Sequence, residues 1–184
     1  MTEQEWFTGS AYDYLPKYGD KSFDLMLADP PYDDMRLINF TIKQGLRIAD
    51  TTLCFMYAEN LAELTIVPDR VVFWVKPVST KNTSRKYSRF VEVKAVWQRT
   101  PFMNDGHWSD RSGVFTDRPE KHPGHLWRKP RALMETLVRN HCPIGGYIID
   151  PFAGTGVIAD ICADIGINST SIEIDSRWHR ANEQ

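Results

Sequence analysis

The sequence predicts an α/β protein built on a largely parallel sheet, and three observations carry that reading. Short apolar runs alternate with segments whose apolar residues recur every three or four positions. One run, DLMLADPPYDD at residues 24–34, stops at Asp29-Pro30-Pro31-Tyr32. Another, GYIIDPFAGTG at residues 146–156, stops at Asp150 and enters a glycine-rich turn before a helical pattern.

Taken in order, Phe23 to Ala28 reads as a buried strand, and residues 34–49 as a helix with Met35, Ile38, Ile42, Leu46 and Ala49 on one face. A strand is expected at 52–57, a short helix at 59–64, and strands at 71–75 and 91–97. Between the last two lies PVSTKNTSRKYSR, residues 77–89, polar and aperiodic, which reads as a loop. A second irregular stretch covers about 100–125. Pro130 suits the first position of a helix reaching about 140, with Leu133, Leu137 and Val138 inward. The spacing then predicts a strand at 147–149, a helix at 156–165, a strand at 169–174, and a closing helix at 176–183 capped by Asp175.

With 184 residues, 42% of them hydrophobic and 25% charged, the chain is expected to form one globular domain. The cysteines Cys54, Cys142 and Cys162 are widely spaced, which argues against a disulfide framework and fits a reducing cytoplasm. No apolar run approaches the roughly 18 residues needed to span a bilayer, so no membrane association is expected. Nor do His107, His122, His125, His141 and His179 form a convincing ligand set, and no metal is expected. The net charge is −2, yet residues 71–100 hold seven basic residues against the single acid Glu92. That segment is either a phosphate-binding surface or a solvated loop.

The two strand ends carry the chemistry. After Asp150, the glycine-rich turn lets backbone N–H groups approach a ligand closely. Glu173 lies 23 residues further on, close to where such folds place an acid for ribose hydroxyls.

DPPY early, DPFAGTG late and IEID after it resemble the DNA amino-methyltransferases that use S-adenosylmethionine, in the circularly permuted group whose catalytic motif precedes the cofactor motif. The similarity covers nearly the whole chain and includes WFTGSAYDYL, VVFWVKP, FVEVKAVWQR and HLWRKPRALMETLVRNHCPIGGYIID. It implies a Rossmann-like class I methyltransferase fold, a mostly parallel seven-stranded sheet flanked by helices, across one domain of residues 1–184. The stretch at 100–125 would be a short target-recognition insertion. The resemblance implies cofactor contacts from Ser10, Ala11, Asp29, Lys129, Asp150, Phe152, Ala153, Gly154, Thr155, Gly156 and Glu173. Two departures stand out: Ser10 occupies a position usually held by aspartate, and the family's HPxxKP element reads His125-Leu126-Trp127-Arg128-Lys129-Pro130.

The catalytic group would be Asp29, Pro30, Pro31 and Tyr32. An exocyclic amine has its lone pair delocalised into the base, so each N–H needs a fixed acceptor: the Asp29 carboxylate for one, the Pro30 carbonyl for the other. Consecutive prolines restrict the backbone that presents them, Asp29 offsets the positive charge that develops on nitrogen, and Tyr32 would stack on the flipped base. Lys81, Arg85, Lys86 and Arg89 are the candidate contacts to double-stranded DNA. Trp108 and Phe115 either wedge into DNA or fasten their loop to the core. The expected activity is adenine-N6 methylation in a bacterial or phage cytoplasm, with cytosine-N4 methylation and a non-catalytic nucleic-acid-binding module as alternatives. RNA guanine-N2 and protein glutamine methyltransferases carry similar motifs in the opposite order. A homodimer is compatible with the sequence.

Overall fold

A computed structural model describes residues 2–76, 91–99, 112–118, 120 and 128–178. Its strands are β1 (Gln4–Thr8), β2 (Phe23–Ala28), β3 (Ala49–Tyr57), β4 (Arg70–Val75), β5 (Val91–Gln98), β6 (Val114–Phe115), β7 (Tyr147–Asp150) and β8 (Asn168–Glu173). They form one sheet in the order β1-β8-β7-β2-β3-β5-β4-β6. The pairs from β1 through β3 are parallel, as is β4 with β6, while β5 runs antiparallel to both β3 and β4. Among the described residues the sheet is therefore mixed and has eight strands, not the seven expected. Two strands have no counterpart among those read from the sequence: β1 at the sheet edge, and the two-residue β6, which lies inside the stretch read as irregular and is too short to carry an alternating pattern.

The helices are α1 (Ala11–Tyr14), α2 (Met35–Ile48), α3 (Arg131–His141) and α4 (Val157–Ile165). Side chains alternate across each strand, so Leu25, Leu27, Leu53 and Phe55 meet α3 and α4 on one face. Met26, Ala28, Cys54 and Met56 join the core beneath α2 on the other. Burial on both faces explains why residues 25–28 of β2 and 53–56 of β3 read as unbroken apolar runs. Leu133, Leu137 and Val138 point inward as the spacing predicts. Gly45 lets α2 lie directly on the sheet, because a Cβ there would collide with the Met26 methyl and the Thr52 side chain.

Asp34 caps α2 by accepting the Leu37 N–H at 2.9 Å, which starts the helix just after the DPPY motif. The closing helix is observed only as a 3-10 turn, Ser176–Trp178, with Asp175 Oδ1 accepting the Arg177 N–H at 3.0 Å. Residues 179–184 lie outside the described residues, as does the basic loop. Among the described residues no helix is long and apolar enough to cross a membrane.

Candidate active site

Strands β2 and β7 are direct neighbours, with Leu25 opposite Ile148 and Met26 opposite Ile149. Both chains leave the sheet at the same edge, Asp29 following β2 and Asp150 ending β7. This is the crevice where open α/β sheets bind ligands.

The Asp29 carboxylate is held on both oxygens. Oδ1 accepts the Tyr32 hydroxyl at 2.6 Å, and Oδ2 meets Lys129 Nζ at 2.7 Å. Lys129 also reaches Tyr32 Oη at 3.0 Å and Glu92 Oε2 at 3.2 Å, while Glu92 Oε1 pairs with Lys76 at 2.5 Å. Each carboxylate oxygen of Asp29 retains a lone pair, because an ionised carboxylate offers about four acceptor sites. Tyr32 is half-buried, its ring edge-on to Tyr57 with centroids 4.6 Å apart. Its backbone carbonyl accepts Asn60 Nδ2 at 3.0 Å, which ties the motif to the 3-10 turn Ala58–Glu63.

Burial alone would raise the Glu92 carboxyl, but Lys129 and Lys76 hold it below its ordinary value. Burial would likewise lower Lys129, and Asp29 and Glu92 instead hold it above the usual lysine range. Tyr32 is pushed well above the usual phenol value by burial and by the two carboxylates, so it remains a donor. Beneath this group Lys94 is fully buried, with Nζ 5.2 Å from the Phe115 ring centroid and 5.3 Å from that of Phe55. Burial lowers it to about 7, assisted by Lys129 and opposed by Glu92, Asp117 and Asp29. Buried charge networks seldom add net stability over apolar packing. So many at one sheet edge point to chemistry.

On the neighbouring strand, Asp150 is buried and accepts the Phe152 N–H at 3.0 Å. Glu173 accepts the Gly154 N–H on Oε2 at 2.7 Å and the Asp175 N–H on Oε1 at 2.8 Å, which ties the glycine loop to the end of β8. Gly154 and Gly156 have φ of 52° and 83°, conformations that favour glycine. Ala153, before Gly154, and Thr155, between the two glycines, are buried, and Phe152 packs onto the core cluster beneath α2. Gly9 N–H donates to the Glu173 carbonyl at 2.8 Å, bringing Ser10 and Ala11 to the same strand end. Ser10 itself caps α1 by accepting the Tyr12 N–H. Burial raises Asp150 to about 8, the Phe152 N–H opposes this, and the Asp29 and Glu173 charges add to it.

The shift at Asp150 has a measurable consequence. Between its unfolded value, about 3.9, and about 8, the folded chain holds a proton that the unfolded chain has released. Stability therefore falls as pH rises through that window. Asp150→Asn keeps the acceptor for Phe152 and removes the titration. In urea unfolding, the stability of Asp150→Asn relative to the natural chain is expected to rise from pH 5 to pH 8; a constant difference would show that Asp150 ionises freely.

The expected site residues thus fall into two adjoining groups. Asp29, Pro30, Pro31, Tyr32 and Lys129 gather at the end of β2; Asp150, the 152–156 loop, Glu173, Ser10 and Ala11 gather at the ends of β7 and β8. Lys129 contacts the DPPY motif directly. Lys81, Arg85, Lys86, Arg89 and Trp108 lie outside the described residues, whereas Phe115 packs onto the core. The sequence reading missed Glu92, Lys76, Lys94 and Asn60. A usable signal existed for two of them: in VEVKAVW, Glu92 and Lys94 alternate onto the same face as Val96, an inward face. Among the described residues no group of three or more His, Cys, Asp or Glu is placed to hold a metal ion.

Residues 51–184 match the N6/N4 family of enzymes described as DNA methylases. The chain belongs to the N6/N4 DNA methylase family. This family member aligns over 150 residues, at 27% identity, with the type II methyltransferase M.MjaII of Methanocaldococcus jannaschii; the alignment covers 73% of this chain. It spans 27% of that relative's length. Among solved structures, the M1.HpyAVI complex with S-adenosylmethionine superposes with a TM-score of 0.68 at 19% identity, covering 95% of this chain and 96% of that one. PvuII DNA methyltransferase, cytosine-N4-specific, gives 0.74 at 10% identity over 97% and 84% of the two chains. TTHA0409 of Thermus thermophilus, complexed with S-adenosyl-L-methionine, gives 0.70 at 15% identity over 96% and 91%. At these identities the likeness establishes a shared methyltransferase fold.

Proposed function

We propose that this DNA methylase-family chain transfers a methyl group from S-adenosylmethionine to the exocyclic N6 amine of an adenine flipped out of double-stranded DNA. The supporting observation is the Asp29 carboxylate, immobilised by Tyr32 and Lys129 with acceptor capacity to spare, next to the Asp150–Gly156 loop. Residues 1–184 act as one catalytic domain with its motifs in the permuted order. The buried free cysteines suit a cytoplasmic setting.

The residues beside Asp29 fit the methyl donor. Asp150, raised to about 8 by burial and by its acidic neighbours, favours a ligand that brings positive charge. Glu173 keeps lone pairs for ribose hydroxyls, and the N–H groups entering α4 face the same edge. When bound, S-adenosylmethionine supplies an electrophilic methyl on a sulfonium. Asp29 and the Pro30 carbonyl would accept hydrogen bonds from the two amine N–H groups and turn the nitrogen lone pair toward that methyl, and one of those protons leaves once the nitrogen carries the methyl. Asp29 stabilises the charge that develops on nitrogen, in a site where water is scarce. Tyr32, with its hydroxyl held from below, offers a ring for the extruded base.

Cytosine-N4 transfer is the second reading, favoured by the PvuII enzyme among the structural neighbours. Incubation with cofactor and separate DNA and RNA substrates, followed by mass spectrometry of the nucleosides, decides between them. N6-methyladenine in DNA is expected; N4-methylcytosine would select the second reading, and no methylated nucleoside would overturn both. Calorimetry with S-adenosylmethionine separates an enzyme from a non-catalytic module, for which no heat is expected. Replacing Lys81, Arg85, Lys86 and Arg89 by glutamine should weaken DNA binding and flatten its salt dependence by up to about four phosphate contacts. An unchanged slope would assign that segment to solvent.

A further inference from the structure

Counting protons beneath Asp29 isolates one hydrogen with two acceptors. Lys129 carries three N–H groups, and Asp29 Oδ2, Tyr32 Oη and Glu92 Oε2 take one each at 2.7, 3.0 and 3.2 Å. Lys76 is committed to Glu92 Oε1 at 2.5 Å. Tyr32 has a single hydroxyl hydrogen, yet its oxygen lies 2.6 Å from Asp29 Oδ1 and 3.1 Å from Glu92 Oε2. It serves only one of them at full strength. Glu92 and Lys129 are 6% and 7% exposed, so solvent offers no ready third partner.

The two acceptors differ in their exposure to a substrate. Asp29 sits at the rim beside Asp150, with 27% of its side chain accessible, while Glu92 lies deeper with 8%. A donor arriving from the crevice meets Asp29 and leaves Glu92 untouched. While the Tyr32 hydrogen remains on Asp29, it draws electron density from the carboxylate that must bind the amine. Turning the O–H about its C–O bond toward Glu92 removes that competition and moves no heavy atom. The four charged groups, Asp29, Glu92, Lys76 and Lys129, balance in sign, and the turn leaves the balance unchanged.

We propose that Glu92 is a positioning residue: it is the alternate acceptor for the Tyr32 hydroxyl, receiving that hydrogen bond when the target amine occupies Asp29. The inference rests on the methyl-transfer reading above. No covalent bond is made or broken in this step, and the proton stays on Tyr32. Glu92 thereby lets one carboxylate be well ordered before the base arrives and unencumbered once it has.

The test is a double-mutant cycle in single-turnover methylation of DNA, using the natural chain, Glu92→Gln, Tyr32→Phe and the double variant. Glu92→Gln is expected to slow transfer about tenfold, the weight of one hydrogen bond, with cofactor affinity and the KM for DNA unchanged. In the Tyr32→Phe background the same substitution should have no further effect on rate. An equal loss in both backgrounds, or full activity of Glu92→Gln, would overturn the proposal. Because Glu92→Gln leaves one positive charge unbalanced, Glu92→Gln/Lys76→Met is made alongside to restore charge balance. It is expected to melt near the natural chain and still transfer slowly; rapid transfer would also overturn the role. A natural chain that methylates no DNA would overturn the methyl-transfer reading itself, whereas an active natural chain with additive variants rejects Glu92 alone.

Discussion

Replacing Asp29 by alanine is expected to lower methyl transfer by about 10³ or more while leaving S-adenosylmethionine binding within a few-fold of its natural value. Asp29 is the group at the end of β2 that faces the adjoining loop with acceptor capacity left over. On the methyl-transfer reading its removal takes away both the amine acceptor and the charge opposing the nascent ammonium, and about 1.4 kcal/mol of barrier accompanies each tenfold loss. The cofactor contacts assigned to Asp150, Glu173 and the 152–156 backbone lie on other strands and remain. Asp29→Asn separates the two contributions, because it keeps one acceptor oxygen and loses the charge. Tritium transfer to DNA paired with calorimetry measures both effects; transfer above a hundredth of the natural rate in Asp29→Ala would show that another group accepts the amine.

Lys129→Met is the substitution expected to cost the most stability. Lys129 Nζ joins Asp29 and Glu92, and without it the two carboxylates lose the cation they share, leaving Lys76 paired with Glu92 and Lys94 further off. Breaking such a buried pair costs about 3–5 kcal/mol, or roughly 6–20 °C in Tm for a chain of this size. The pH dependence gives the sign. Lys129 is raised in the folded state, so its contribution is complete below the unfolded lysine value, about 10.4, and is lost only as pH rises through the folded one. Glu92 is lowered, so its contribution is present above about 4.3 and is lost as pH falls through the folded value. In Lys129→Met that arrangement reverses: one carboxyl gains by protonation, and the deficit should shrink from pH 7 to pH 5. Calorimetric melting across that range tests it, and a deficit below about 1 kcal/mol at pH 7 would mean that the carboxylates find other partners.

Physical reasons separate what was legible in the sequence from what was not. β2, β3 and α2 could be read because burial on both sheet faces leaves continuous apolar runs, and because Met35, Ile38 and Ile42 follow the helical repeat. Asp29 and Asp150 were legible as charges ending such runs. Their adjacency was only an expectation until the β2–β7 pairing was on hand, since parallel neighbours so distant in the chain leave no local signature. β1 escaped because QEWFT is a short edge strand with one buried residue, Trp6. Glu92 and Lys94 were read as part of a basic surface stretch, and their burial depends on partners contributed by β2, β4 and α3's leading segment. Tyr32 was legible as an aromatic ring close to Asp29; that its hydroxyl meets Glu92 and Lys129 was not, because they lie 60 and 97 residues away.

The reversed strand β5 has a consequence for how this protein can change. Val75 stands opposite Val91, so the chain departs after Lys76 and re-enters just before Glu92 at the same rim of the sheet as Asp29. Lys76 and Val91, on either side of that span, are fixed by β4 and β5, which pair with each other and with β3. The pairing of β3, β4 and β5 sets the positions of Lys76 and Glu92 independently of how many residues lie between them. On the methyl-transfer reading, a lineage could change the nucleic-acid contacts proposed for that span while Asp29, Glu92 and Lys129 keep their places.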